Sequence, residues 1–268
     1  MTKERQLPVP QAADARPKGL GRLRDELAQA WAVAVKDVRV YYLTPPMIMF
    51  GLMLPFFLFF SFSIKREIGP DVGTARLLAL TTFFTASSAG PVIIPLERRM
   101  GTYDRLLAAP MSLVTLLLGK TLVGAFFGLA VSIVPLLVGV LWLHVTIANA
   151  GFLLLGLALA SLAFSAFGLT FASIPTKSVG NIMMPSTMIR WPLLFISGIF
   201  IPVQEMAPWA RTLAHLSPLT YAQDLMNHAV LGKGLFNPWV DLIVLATMSI
   251  LFQLPSLKMH QRSRKLGF

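Results

Sequence analysis

The residues able to do chemistry are few and widely spaced. His144, His215, His228 and His260 stand alone in the sequence, whereas a metal centre or a general-base pair needs several such groups gathered at one site. Each is therefore read as an isolated surface or interface residue. Glu97, Asp104, Glu205, Asp224 and Asp241 fall between, or at the ends of, long apolar stretches. None is placed to bind a coupling ion at the centre of an apolar span. Leu118-Gly-Lys-Thr121 has the form of the tail of a phosphate loop, but Val114 stands where the first glycine of that loop is required, and the segment opens an apolar run. Lys120 is read instead as reaching toward lipid headgroups. With no cysteine, disulfides and thiolate metal sites are excluded. No catalytic, cofactor-binding or metal-binding residue is assigned.

Two polar features stand out against this background. The first is the charged turn from Glu97 through Arg98, Arg99, Gly101, Thr102, Asp104, Arg105, Leu106 and Leu107 to Pro110. Gly101 can break the chain, Thr102 with Asp104 suits a helix start, and Pro110 ends it, which predicts a short helix. The plain alternative is a charged turn that only sets membrane orientation. The second feature is Arg190, set between Pro185 and Pro192 in an otherwise apolar run. A charge there is costly unless it meets water, a partner or freed backbone carbonyls. Arg190, with Ser197 and Gly198 just beyond it, is read as lining a pathway or a dimer interface.

The elements that hold these residues belong to a membrane protein. The 268 residues are 55% hydrophobic and only 13% charged, with a positive mean hydropathy. A bilayer core about 30 Å thick needs roughly 20 apolar residues of helix. Six stretches qualify: 45–64, 75–96, about 117–143, 150–174, 182–202 and 238–257. Backbone polar groups must be paired internally in hydrocarbon, and no barrel-like alternation occurs, so the expected fold class is an all-α integral membrane protein with six transmembrane helices. Sixteen Lys and Arg residues lie on the side shared by the two termini, against five on the other, which predicts cytoplasmic termini. The net charge of +11 is accounted for by topology and anionic lipid, so nucleic acid is not an expected partner.

Ahead of the spans, residues 1–19 read as a disordered cytoplasmic tail rather than a secretory signal. Residues 20–43 read as a two-faced helix: Leu23, Leu27, Ala30, Trp31, Ala34, Val38, Tyr41 and Tyr42 on one arc, and Asp25, Glu26, Gln29, Lys36, Asp37 and Arg39 on the other. Such a helix is expected to lie in the cytoplasmic interface. Residues 44–257 form the transmembrane domain, and 258–268 a basic cytoplasmic tail. Between Pro202 and Pro238 the pattern is too broken for a span and predicts two short helices dipping into the outer leaflet. Gly124 and Gly128 are spaced for close helix approach, more naturally within the chain than between copies.

Glu97, Gly101, Thr102, Leu106, Leu107 and Pro110, followed by Gly119-Lys120, are similar to the cytoplasmic loop of ABC-2 type exporter permeases. Ile196-Ser-Gly-Ile-Phe-Ile-Pro202, Met206-Ala-Pro-Trp209 and Leu216-Ser-Pro-Leu-Thr-Tyr-Ala-Gln-Asp-Leu225 resemble that family's fifth span and the external region after it. The likeness extends over about residues 20–257 and lies nearest the daunorubicin-resistance and nodulation-factor exporters. It implies an ABC-2 permease fold in the bacterial inner membrane, two permease copies, and two cytoplasmic ATP-binding subunits that hold the ATP and magnesium. It also implies that Glu97–Pro110 is the coupling helix and residues 22–42 the connecting helix. The expected cargo is a hydrophobic or amphipathic compound, drug-like or lipid. A lipid-linked glycan is the alternative cargo, and a non-transporting membrane scaffold the alternative of another class.

Overall fold

The computed structural model describes residues 20–42, 45–63, 68–109 and 111–265. The expected tail 1–19, Pro110 and the last three residues lie outside them. Among the described residues every regular element is helical: α1 (Leu20–Asp37), α2 (Pro45–Ser63), α3 (Pro70–Met100), α4 (Thr102–Ala108), α5 (Leu113–Leu137), α6 (Ala150–Ala172), α7 (Val179–Ile196), α8 (Pro208–Ala214), α9 (Pro218–Leu231) and α10 (Pro238–Lys265). Single π turns extend α1 over Val38–Tyr42 and α5 over Val138–Trp142, and a 3-10 turn covers Val203–Glu205.

Among the described residues four helical stretches are long and apolar enough to cross a membrane: Pro70–Met100, Leu113–Trp142, Ala150–Ala172 and Pro238–Arg262. Of the other two expected spans, α2 covers Pro45–Ser63 in 19 residues without a charge, and α7 carries Asn181, Arg190 and two internal prolines in its 18 residues.

α3 is the axis of the bundle. Buried positions make up 89% of its apolar stretch, against 22% in α10 at the periphery. It packs on α5, α6, α9, α2 and α7. Several of its buried hydroxyls bond within the helix: Thr82, Ser87 and Ser88 donate to the carbonyls four residues back at 2.7, 2.5 and 2.5 Å. Phe83 meets Phe164 of α6 edge-on at 5.0 Å.

Small residues let these helices touch. A Cβ at Gly168 of α6 would lie 2.1 Å from the Ser87 carbonyl oxygen of α3. One at Gly124 would lie 2.2 Å from Ser165 Oγ, and one at Gly128 would lie 2.8 Å from the Ala86 Cβ. The Gly124–Gly128 pair is thus used inside the chain, as its sequence context suggests.

Element boundaries differ from the sequence reading for local reasons. α3 starts at Pro70, which is pre-organised for a first helical turn, and runs to Met100, where Gly101 at φ 70° caps it. α7 ends at Ile196 rather than 202, because Ser197 caps it and Gly198 turns at φ 89°. α10 continues to Lys265, well past residue 257. No glycine interrupts it there, and Ser256 and His260 are buried on its inward face. The two short helices expected after Pro202 are α8 and α9.

The apolar arc of α1 is divided between the bundle and the outer surface. Ala30, Val33, Ala34 and Asp37 are buried, whereas Leu27 and Trp31 are exposed. Asp37, assigned to the polar side, faces the bundle.

Gly168→Ala is expected to cost about 1–3 kcal/mol or more, because the obstacle is backbone. Gly69→Ala, with nothing within 4 Å, is expected to stay within about 0.5 kcal/mol of wild type. Thermal unfolding of the two variants in detergent measures both.

Candidate functional site: a buried ion cluster behind α4

The end of α3 that leads into α4 holds a closed ring of four charges from three helices. Lys120 of α5 donates to Asp37 Oδ2 at 2.8 Å and to Glu97 Oε2 at 2.6 Å. Lys36 of α1 donates to Glu97 Oε1 at 2.5 Å and contacts Asp37 Oδ1 at 2.7 Å, an ion contact without hydrogen-bond alignment. Two cations alternate with two anions, so the ring is neutral. The side chains of Lys120, Asp37 and Glu97 are 4%, 1% and 0% exposed, and only Lys36, at 36%, reaches out.

Helix geometry brings these groups together. Gly119 lets α1 settle directly on α5, since a Cβ there would lie 2.8 Å from the Ala30 carbonyl and 3.2 Å from Val33 Cβ. Lys120 follows Gly119 and so emerges at that crossing. Asp37 lies two turns beyond Ala30, and Glu97 is in the last turn of α3. Lys120 therefore does not reach to headgroups as expected, because two buried carboxylates hold it inside. The Gly-Lys pair that mimics a phosphate loop is a packing and ion-pair device. Burial lowers the Lys36 pKa, but the carboxylates of Asp37 and Glu97 beside it outweigh that and raise it overall.

The structure divides the remaining residues of the charged turn into two sets. Arg98 is buried, donates to the Ile174 carbonyl at 2.5 Å, and lies over the Tyr103 ring at 5.2 Å. Tyr103, 2% exposed, anchors α4 in a cluster with Val33, Ile94, Leu116 and Leu117, on which Leu106 and Leu107 also pack. Thr102 Oγ1 donates to the Glu97 carbonyl at 3.3 Å. Gly101 supplies the left-handed turn. Arg99, Asp104 and Arg105 point outward, and Arg99 shares an open groove with Lys177 and Ser178 of the α6–α7 turn. Tyr103 carries no charge in the sequence and was not singled out; an aromatic six residues beyond Glu97 in a polar turn, with leucines three and four further on, was the available signal.

Arg190 is 3% exposed. Its guanidinium donates to Ser88 Oγ at 3.0 Å and to the Ser87 carbonyl of α3. Pro91 lacks the N–H that would otherwise bond that carbonyl, so a proline of α3, rather than those flanking Arg190, frees its acceptor. The exposed face of α7 is instead Met184, Met188 and Ile189. Ser197 and Gly198 lie apart from Arg190, in the wall of a cavity at the opposite end of the bundle.

The histidine reading needs correction at two positions. His228 Nε2 is 3.8 Å from Asp224 Oδ2, and His228, Asp224 and Asp241 offer ligand-type atoms within 4.8 Å of one another. The Asp224–His228 spacing of one helical turn was legible; Asp241 joins only through packing of α9 on α10. Asp224 accepts from Leu235 and Phe236 amides at 2.6 and 2.8 Å, and His228 donates to the Phe236 carbonyl at 2.7 Å, so both order the turn into α10. His260 is buried, 6.2 Å from the Tyr103 ring.

Among the described residues the fold is a strandless bundle with four membrane-length helices and a neutral charge ring behind a short polar helix, the build of a multi-pass membrane protein. The sequence matches the ABC-2 type transporter family over residues 28–231. The chain belongs to that family and is an ABC transporter permease subunit. No curated protein matches it.

Removing one member of a buried ion group costs about 3–5 kcal/mol, because the partner is left uncompensated. Lys120→Met is expected to cost that much in detergent unfolding, and Glu97→Gln with Lys120→Gln together, which keeps the ring neutral, is expected to cost less. Burial pushes the Tyr103 phenol up to about 12, against the opposing pull of Arg98. The unfolded phenol ionises near 10.0, so its contribution to stability is intact below that pH and declines from pH 10 through 12, by about 1.4 kcal/mol per pH unit. Tyr103→Phe is expected to remove that part of the alkaline decline, as followed by unfolding midpoint against pH.

Proposed function

We propose that this permease is the membrane half of an ATP-driven exporter, and that α4 receives the motion of a separate ATP-binding subunit. The charge ring is the observation that carries this reading. It joins the base of α4 to α1 and α5 through Glu97, Asp37 and Lys120, and Tyr103 joins α4 to the same body, so a displacement of α4 moves three helices together. Arg99, Asp104 and Arg105, with Lys177 beside them, form the outward surface for the partner. Arg98, Leu106 and Leu107 serve as its anchors.

In this reading α2 and α7 complete six spans, α1 lies at the cytoplasmic interface with Leu27 and Trp31 toward lipid, and both termini are cytoplasmic. Two permeases and two ATP-binding subunits form the transporter. ATP and magnesium reside in the partner. The cargo is a hydrophobic or amphipathic compound, and α8 and α9 close its external exit.

Reversing the charges of Arg99 and Arg105 to Glu, in co-expression with an ATP-binding subunit encoded nearby, is expected to leave basal ATP hydrolysis intact. Substrate-stimulated hydrolysis should fall roughly tenfold, equivalent to about 1.4 kcal/mol of coupling. Unchanged stimulation would overturn the role of α4. Because the chain has no cysteine, single cysteines at Ala108 and Lys233 can be labelled selectively. The expected result is labelling from the inside for the first and from the outside for the second.

A further inference from the structure

A cavity of about 260 Å³ lies at the end of the bundle opposite α4, between the first turns of α3, the left-handed turn after α7, and α9. The coupling path does not use it. Its walls divide by charge and by hydrogen-bonding sense. Arg76 of α3 and Lys233 of the turn after α9 are cations, whereas α9 presents Thr220, Gln223, Asp224 and Asn227.

The α9 side is unusually demanding. Thr220 and Gln223 are 2% and 4% exposed, yet Thr220 Oγ1 and Gln223 Oε1 have no hydrogen-bond partner. An unsatisfied buried polar atom is costly enough to select for an occupant. Gln223 Nε2 donates to Asn227 Oδ1 at 3.0 Å, an orientation that leaves the amide oxygen to accept. Asp224 is held beside it by the two amides of the α10 turn. Val72, Val203, Leu231 and Leu235 complete an apolar part of the wall.

We propose that this cavity binds a zwitterionic head group carrying a phosphate and a primary ammonium. The phosphate pairs with Lys233 and shares the five-donor guanidinium of Arg76 with the interaction that side chain already makes, and the ammonium donates its three N–H groups to Gln223 Oε1, Thr220 Oγ1 and the Asp224 carboxylate. A purely anionic head group would leave Gln223 Oε1 unpaired and set its charge against Asp224. A purely cationic one would face Arg76 and Lys233. A quaternary ammonium has no N–H to give. The volume is below the roughly 300–1,000 Å³ of drug-sized sites, and the apolar wall suits the start of an acyl chain. The same chemistry is offered by a membrane phospholipid and by its free head group.

The test is native mass spectrometry of the full-length permease in detergent, offered equal amounts of phosphatidylethanolamine, phosphatidylglycerol and phosphatidylcholine. A parallel sample receives free phosphoethanolamine. Preferential retention of phosphatidylethanolamine is expected, and Gln223→Leu and Thr220→Val should each cut that preference roughly tenfold, the loss of one hydrogen bond to a charged donor. Arg99→Gln, at the other end of the bundle, should leave it unchanged. Displacement by free phosphoethanolamine assigns the site to the soluble head group, and resistance to it assigns the site to the lipid. Equal retention of the three lipids together with no binding of free phosphoethanolamine overturns the proposal. So does an undiminished preference in folded Gln223→Leu and Thr220→Val. Neither result bears on coupling through α4, which is read by stimulated ATP hydrolysis.

Discussion

Lys120 carries a full charge into a place with almost no water, and the structure around it is arranged to make that tolerable. Desolvating an ammonium and two carboxylates costs several kcal/mol for each ion. The cost is offset only when all the partners arrive together, with short contacts and balanced charge. Asp37, Glu97 and Lys36 meet that requirement from two other helices. The ring is therefore weak evidence for extra stability, but it strongly restricts register. A sliding of α1 along α5, or of α3 against either, by even one turn would strand a buried charge. That restriction makes the region behave as a unit, which a lever needs.

The middle of the bundle is governed by steric closeness rather than charge. Ser87 to Pro91 of α3 is where α6 and α7 both cross. Gly168 brings the α6 backbone against the Ser87 carbonyl, and Arg190 of α7 donates to the same carbonyl, left open by Pro91. One proline thus creates the acceptor that lets a charged residue be buried in an apolar helix, and one glycine keeps the neighbouring helix from blocking it. Both constraints fall on α3, the helix that connects the α4 end to the cavity end.

Much of this was legible in the sequence because it depends on local quantities. Apolar run lengths located the four membrane-length helices, and Gly101 and Thr102 marked α4 through backbone freedom and capping chemistry. The prolines after residue 202 announced two short helices instead of a span. Two misreadings share a cause: Asp37 was assigned to a polar face and Lys120 to the headgroups by treating each helix alone, whereas they meet each other and Glu97 across three helices distant in sequence. His228 was read as isolated although Asp224 stands one turn away on the same helix, and Asp241 joins them from the next helix.

The sequence by itself determined that the chain is helical, membrane-embedded and without catalytic machinery assignable from its motifs, since composition, periodicity and motif spacing depend on residues within a turn or two. Tertiary structure decided which charges are buried. It turned Arg98 and Tyr103 into anchors, left Arg99 and Arg105 outward, directed Arg190 to a carbonyl on α3, and set Thr220 and Gln223 in a cavity wall. The physical reason is that a charge or amide is tolerable in a low-dielectric interior only beside a complementary group. Where that group comes from another helix, its position exists only after the helices have packed.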